Sequence, residues 1–112
     1  MQESAELRAV IAAWFDRVSY GDLLWVDRHV SRETGVRFVG TNPGEEIKGE
    51  EGAAFLEEEV MAMAGAVEVH LGHVEAYQEG SVGWELARPT ITLANGHRIS
   101  PRWSAVFHWE DG

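Results

Sequence analysis

Thr90-Ile91-Thr92-Leu93-Ala94-Asn95-Gly96-His97-Arg98-Ile99-Ser100 places β-branched runs on both sides of an Asn-Gly pair. Asn-Gly readily takes the positive φ angles of a tight turn, so this stretch predicts an antiparallel hairpin with a two-residue loop. Outward from it the same character continues. Residues 66–78, 81–94 and 97–109 read as three long strands rich in Val, Ile, Trp, Phe and Thr, joined at Glu79-Gly80 and Asn95-Gly96. Before Gly65 the hydrophobic period is different. Leu7, Val10, Ile11, Trp14 and Val18 recur at helical steps, and Gly21-Asp22 reads as a stop followed by a cap. A short second helix from Leu23 to about Val30 carries Leu24, Trp25 and His29, and Gly35 breaks it. Val36-Arg37-Phe38-Val39 is a strand leading into a turn at Asn42-Pro43-Gly44. A third helix is expected from about Glu50 to Ala64, with Ala53, Leu56, Val60 and Met63 on one face and Glu50 and Glu51 in the first turn. This order predicts an α+β fold: three N-terminal helical segments packed on a strongly curved antiparallel sheet.

Composition narrows the function classes. The 112 residues, 45% of them hydrophobic, suit a single domain over 1–112 with a real core. Without cysteine, a disulfide framework and thiolate zinc sites are excluded. No apolar run approaches a membrane span, and no charged-then-apolar leader is visible, so a cytoplasmic location is expected. The net charge of −10 repels phosphate backbones and anionic lipid, which argues against nucleic-acid and membrane partners. Seven Glu against one Lys between Glu45 and Glu59 read as a solvated helix face, with a basic partner as the alternative.

With two-residue loops at both hairpins, the pleat sets which side chains share a face. Leu71, His73, Glu75 and Tyr77 would lie with Val82, Trp84, Leu86 and Arg88, and with Trp103, Ala105, Phe107 and Trp109. That bulky face is expected to meet the helices. The flatter face, with Gly72, Val74, Ala76, Ala87, Ser104 and Val106, is left for a second copy. Pro89 cannot donate to a ladder and is expected to sit at a bulge. His73, Glu75 and Arg88 are the polar exceptions on the aromatic face. His73 exchanges protons near neutral pH, a partly buried Glu75 can carry a raised pKa, and Arg88 can orient a carbonyl or carboxylate. The plainer alternative has Glu75 and Tyr77 in water and Arg88 paired with a helix carboxylate. His70, His73 and His108 lack a metal-ligand spacing, so no metal or cofactor is expected.

Helix, helix, strand, helix and then long antiparallel strands resembles the SnoaL-like, ketosteroid-isomerase-like proteins, which share the cone-shaped fold of nuclear transport factor 2. Val39-Gly40-Thr41-Asn42-Pro43-Gly44-Glu45 with Lys48-Gly49 looks like that family's strand and turn before its third helix. Gly83-Trp84-Glu85 and Arg102-Trp103-Ser104 look like its central strands, and the likeness covers roughly residues 5–109. It implies a homodimer built through the sheet, and a small-molecule pocket with isomerase- or dehydratase-type acid–base chemistry. Two departures stand out. Residues 34–41 hold no acid and the Asp residues are 16, 22, 27 and 111, so the family's catalytic carboxylate sets do not carry over. Relatives also continue into one more strand, so an open sheet edge, or one covered by another chain, is expected here.

The resulting expectation is a pocket lined by Trp14, Trp25, Phe38, Trp84, Trp103 and Phe107, with His73, Glu75 and Arg88 as catalytic groups. It would take a small apolar or cationic ligand. A protein-interaction module, and a non-catalytic binder of cations drawn to the negative charge and aromatic rings, are the competing readings.

Overall fold

The computed structural model describes residues 1–40 and 43–110; of the turn expected at Asn42-Pro43-Gly44, Asn42 lies outside that range and Pro43 and Gly44 form a turn. In chain order it contains β1 (Gln2–Glu3), α1 (Ala5–Tyr20), α2 (Leu23–His29), β2 (Arg37–Val39), β3 (Glu46–Lys48), α3 (Gly49–Met63), β4 (Val67–His70), β5 (Val74–Glu79), β6 (Val82–Ala87), β7 (Thr90–Leu93), β8 (Arg98–Ile99) and β9 (Trp103–His108). The fold is α+β, with three helices and curved antiparallel sheets. No helix among the described residues is long and apolar enough to cross a membrane. The chain forms two compact units, Met1–Asp16 with Val67–Gly112, and Arg17–Ala66.

In the first unit the strands pair in the orders β1-β5-β6-β9 and β4-β7-β8. Each of the three long strands expected from the sequence is cut in two. Residues 71–73 stand opposite only 88–89, because His70 pairs with Thr90 and Val74 with Ala87. The extra residue is a bulge, with Gly72 at φ +68°. It reverses the facing of everything before it, so Leu71 packs on the same cluster as Val74. The other interruption follows from proline. Pro89 and Pro101 fall at matching positions between Ala87↔Trp103 and Ile91↔Ile99, and neither can donate to a ladder.

The Asn95-Gly96 hairpin forms, but its loop has three residues. Leu93 N donates to His97 O at 2.8 Å, Asn95 Oδ1 accepts from His97 N at 2.9 Å, and Gly96 takes a positive φ, +84°. This is the type I turn plus left-handed residue that closes three-residue hairpins. One extra loop residue turns the last strand over. Trp84 therefore pairs with Val106, not Phe107, and the bulky face expected from the sequence is split between the two sides of the sheet.

The face that meets α1 carries Val74 and Ala76 from β5, Gly83, Glu85 and Ala87 from β6, and Trp103, Ala105 and Phe107 from β9. Ile11, Phe15, Val74 and Ala87 form its core, with Trp14, Val69, Leu71, Trp103 and Phe107 packed around them. Small strand residues let the helix approach closely: a Cβ on Gly83 would lie 2.3 Å from Leu7 Cδ1 and 2.9 Å from Tyr77 O. Val74 and Ala87 are thus buried beneath α1, which corrects their placement on a flat face open to a second copy. Ser4 fixes the start of the helix, donating from Oγ to Gln78 Oε1 (2.6 Å) and accepting there from Leu7 N (3.1 Å).

The second unit follows the sequence more closely. Gly21 (φ +72°) ends α1, and the Asp22 carboxylate caps α2 by accepting from Trp25 N at 3.1 Å. Strand β2 pairs with β3, an element the sequence reading missed, and α3 follows β3 directly. Phe38 packs on Phe55 of α3 with ring centroids 5.4 Å apart. Part of the acidic stretch is paired: Arg32 holds Asp27, Glu57 (3.1 Å) and Glu50 (3.6 Å) together.

Candidate active site

The nominated residues separate. His73 lies exposed in the bulge between β4 and β5. Glu75 and Arg88 do meet, as a 3.8 Å ion pair with 41% and 59% of their side chains exposed. Glu75 lies on the face turned away from α1, where Tyr77 stacks on its cross-strand partner Trp84 at 5.2 Å. Trp14, Trp103 and Phe107 are brought together on the α1 side, with Trp103 also meeting Phe15 edge-on at 5.4 Å. Trp25 and Phe38 belong to the second unit, where Trp25 stacks on His29 at 3.9 Å. An open groove of about 440 Å³ on β4-β7-β8, lined by Glu68, Val69, His70, Thr90, Thr92 and Arg98, contains none of the nominated residues. Among the described residues no three His, Asp or Glu side chains are grouped to hold a metal ion.

Glu85, which the sequence reading passed over, is the chemical exception of the first unit. It occupies the middle of β6, a strand paired on both edges, and its side chain lies on the α1 side. Only 1% of the residue is exposed, and neither carboxyl oxygen has a partner in good hydrogen-bonding geometry. A carboxylate so placed has lost its water and gained little in exchange, which favours the neutral form. Burial accordingly pushes the Glu85 carboxyl up to about 8, with the backbone of Ala105 pulling weakly the other way.

The surroundings show how the sequence makes this site. Along β6 its same-face neighbours are Gly83 and Ala87; across the ladders they are Ala76 and Ala105. Trp103 and Phe107 stand diagonally on β9, roughly 7–8 Å away at Cα in such a ladder. A single carboxyl thus rises from a floor of alanine and glycine beside aromatic rings. The signal available beforehand was parity: Glu85 alternates with Trp84 and Leu86, and the three-residue loop inverted the expected facing.

A profile of the SnoaL-like domain family matches residues 7–112. The chain belongs to the SnoaL-like domain family. Solved structures share its fold at low identity. A protein named as an NTF2 variant with five substitutions is 21% identical, with a TM-score of 0.67 over 95% of this chain and 87% of that one. A Mycobacterium tuberculosis LEH-like epoxide hydrolase gives 16%, 0.58, 90% and 71%; a Mesorhizobium loti structure described as a SnoaL-like polyketide cyclase gives 15%, 0.53, 95% and 91%. No curated protein matches the chain in sequence.

Proposed function

We propose that this SnoaL-like domain binds a small molecule on the α1 side of the β5-β6-β9 sheet and moves a proton through Glu85, in chemistry of the isomerase, hydratase or cyclase type. The observation that carries the reading is a fully buried carboxyl with two unpartnered oxygens. Natural proteins rarely leave such a group unsatisfied without a use for it. Pushed up to about 8, it is mostly protonated at pH 7, able to give up its proton when a ligand binds, and close enough to neutrality to take the proton back. The neighbours named as an epoxide hydrolase and a polyketide cyclase support a fold suited to small organic ligands. Trp14, Trp103 and Phe107 would supply apolar contact, and the exposed His73 and the Glu75–Arg88 pair lie outside the reaction.

Carboxyl-carbon NMR of protein labelled at glutamate, titrated alone and with a panel of amine, ketone, epoxide and enol-ether fragments, tests this. One resonance is expected to titrate near pH 8, to be missing in Glu85→Gln, and to shift with at least one fragment. Ordinary titration of every glutamate, or no response to any fragment, overturns the reading.

A homodimer is a separate proposal, supported by the other face of the same sheet. Val82 and Val106 are 46% and 78% exposed there, next to Tyr77, Trp84 and Leu86. Apolar side chains grouped this way mark association surfaces. Light scattering at micromolar concentration is expected to give a dimer that Val106→Lys converts to a monomer; a wild-type monomer sinks the proposal.

A further inference from the structure

We infer that the ligand group received by Glu85 is a protonated amine on an apolar, aromatic-sized body. The inference rests on the proposal that a ligand reaches Glu85, and adds which ligand class. The face that carries this carboxyl is covered by α1 and shared with residues of β5 and β9. From α1 come Leu7, Ile11, Trp14 and Phe15; from β5, Val74, Ala76 and Gln78; from β9, Trp103, Ala105 and Phe107. None of these titrates, and no charged side chain contributes to the Glu85 shift. Gln78, an uncharged polar side chain on the same face, accepts from Ser4 Oγ. None of these residues on the Glu85 face is a cation that could balance an ionised carboxylate.

Three further features select among ligands. An ionised carboxyl is acceptor-only, so its natural complement is a multiple donor such as an ammonium group. The rings of Trp14, Phe15, Trp103 and Phe107 gather in this cluster, and aromatic rings attract cations and repel anions. The field of a chain carrying −10 concentrates cations at the surface and discourages ligand carboxylates. A ketone or alcohol would use only the protonated acid and gain nothing from that field.

The proton balance makes the inference testable. At pH 7 the empty site holds Glu85 as the neutral carboxylic acid, and the free ligand is an ammonium ion. Binding pairs the Glu85 carboxylate with that ammonium group and sends the carboxyl proton to solvent. Above pH 9 the carboxyl is already ionised and no proton leaves. Apparent affinity follows the fraction of the competent, ionised form, so it rises about tenfold per pH unit up to about pH 8 and then levels off.

Calorimetry of the full chain with phenethylamine, 2-phenylethanol and phenylacetone, in two buffers of different ionisation enthalpy at pH 7 and 9, decides the matter. Phenethylamine is expected to bind with release of close to one proton at pH 7 and none at pH 9. Glu85→Gln should weaken it by about tenfold or more at pH 9, where an ion pair is lost, while 2-phenylethanol changes by less than about threefold. Proton release by the wild-type chain serves as the test if the variant does not fold. Binding of phenylacetone that depends on Glu85, with none of the amine, overturns this inference and leaves the proposed function standing. Amine binding without proton release, or unchanged in Glu85→Gln, also overturns it by assigning the amine to surface carboxylates. If none of the three probes binds, the amine inference falls, and the response to oxygen-bearing fragments in the NMR titration judges the proposed function separately.

Discussion

Glu85→Leu is expected to make the domain more stable by about 3 kcal/mol at pH 7, because an unpartnered buried carboxyl is exchanged for a side chain suited to its surroundings. The sign and pH range follow from linkage. The folded carboxyl titrates near 8, above its unfolded value of 4.5. Below pH 4.5 both states are protonated and the group adds no pH dependence to stability. Between 4.5 and 8 the unfolded chain ionises while the folded one keeps its proton, so stability falls by at most about 1.4 kcal/mol per pH unit. Above 8 the full penalty persists. The difference between Glu85→Leu and the wild type should therefore widen from pH 5 to pH 8 and then stay constant, read by urea melts at pH 5, 7 and 9. A difference independent of pH would mean that Glu85 is solvated or paired in solution. Ligand binding should be lost as stability rises, the usual exchange at a functional site.

Ile11→Ala is expected to cost about 3 kcal/mol, within the range for removing a large aliphatic side chain from a closed core. Ile11 is 1% exposed and shares its cluster with Phe15, Val74 and Ala87, with Trp103 and Phe107 at the margin. It comes from the helix and its partners from the strands, so the cavity would open where α1 meets the sheet. A domain of this size has about 5–15 kcal/mol in total, and the loss would be plain in a denaturant melt. Val10, one position round the helix and only half-buried, is the control. Its truncation should cost less than about 1 kcal/mol. Equal losses at both positions would show that α1 is not seated as described.

The helices were legible because each carries its own punctuation. Leu7, Ile11 and Val18 keep a helical step, Gly21 and Gly65 take positive φ where helices end, and Asp22 caps as its residue type suggests. The sheet was legible as a set of strands but not as a surface. Facing depends on parity, and parity accumulates every local error along the chain. The three-residue loop at Asn95 and the bulge at Gly72 each contribute one residue, and neither follows from residue type alone. Glu85 was lost to that same arithmetic. Trp84 and Leu86 attract the eye to their own face, yet α1 prefers the small residues opposite, where a helix can come close. The short strands β1 and β3 were missed for another reason: two or three residues carry too little pattern to separate from loop.

The interruptions between β4 and β5, β6 and β7, and β8 and β9 also matter before folding is complete. Uncut, residues 66–78, 81–94 and 97–109 would be apolar ribbons about twice the length of an ordinary strand, the kind of segment that stacks in register with copies of itself. Gly72, Pro89 and Pro101 divide them into pieces of six residues or fewer. Pro89 and Pro101 each take a donor out of any fibril ladder the chain attempts, as gatekeeper residues do, and Gly72 contributes no side chain to a zipper. The kinks that shape the finished sheet thus also shield the unfinished chain from amyloid-like assembly.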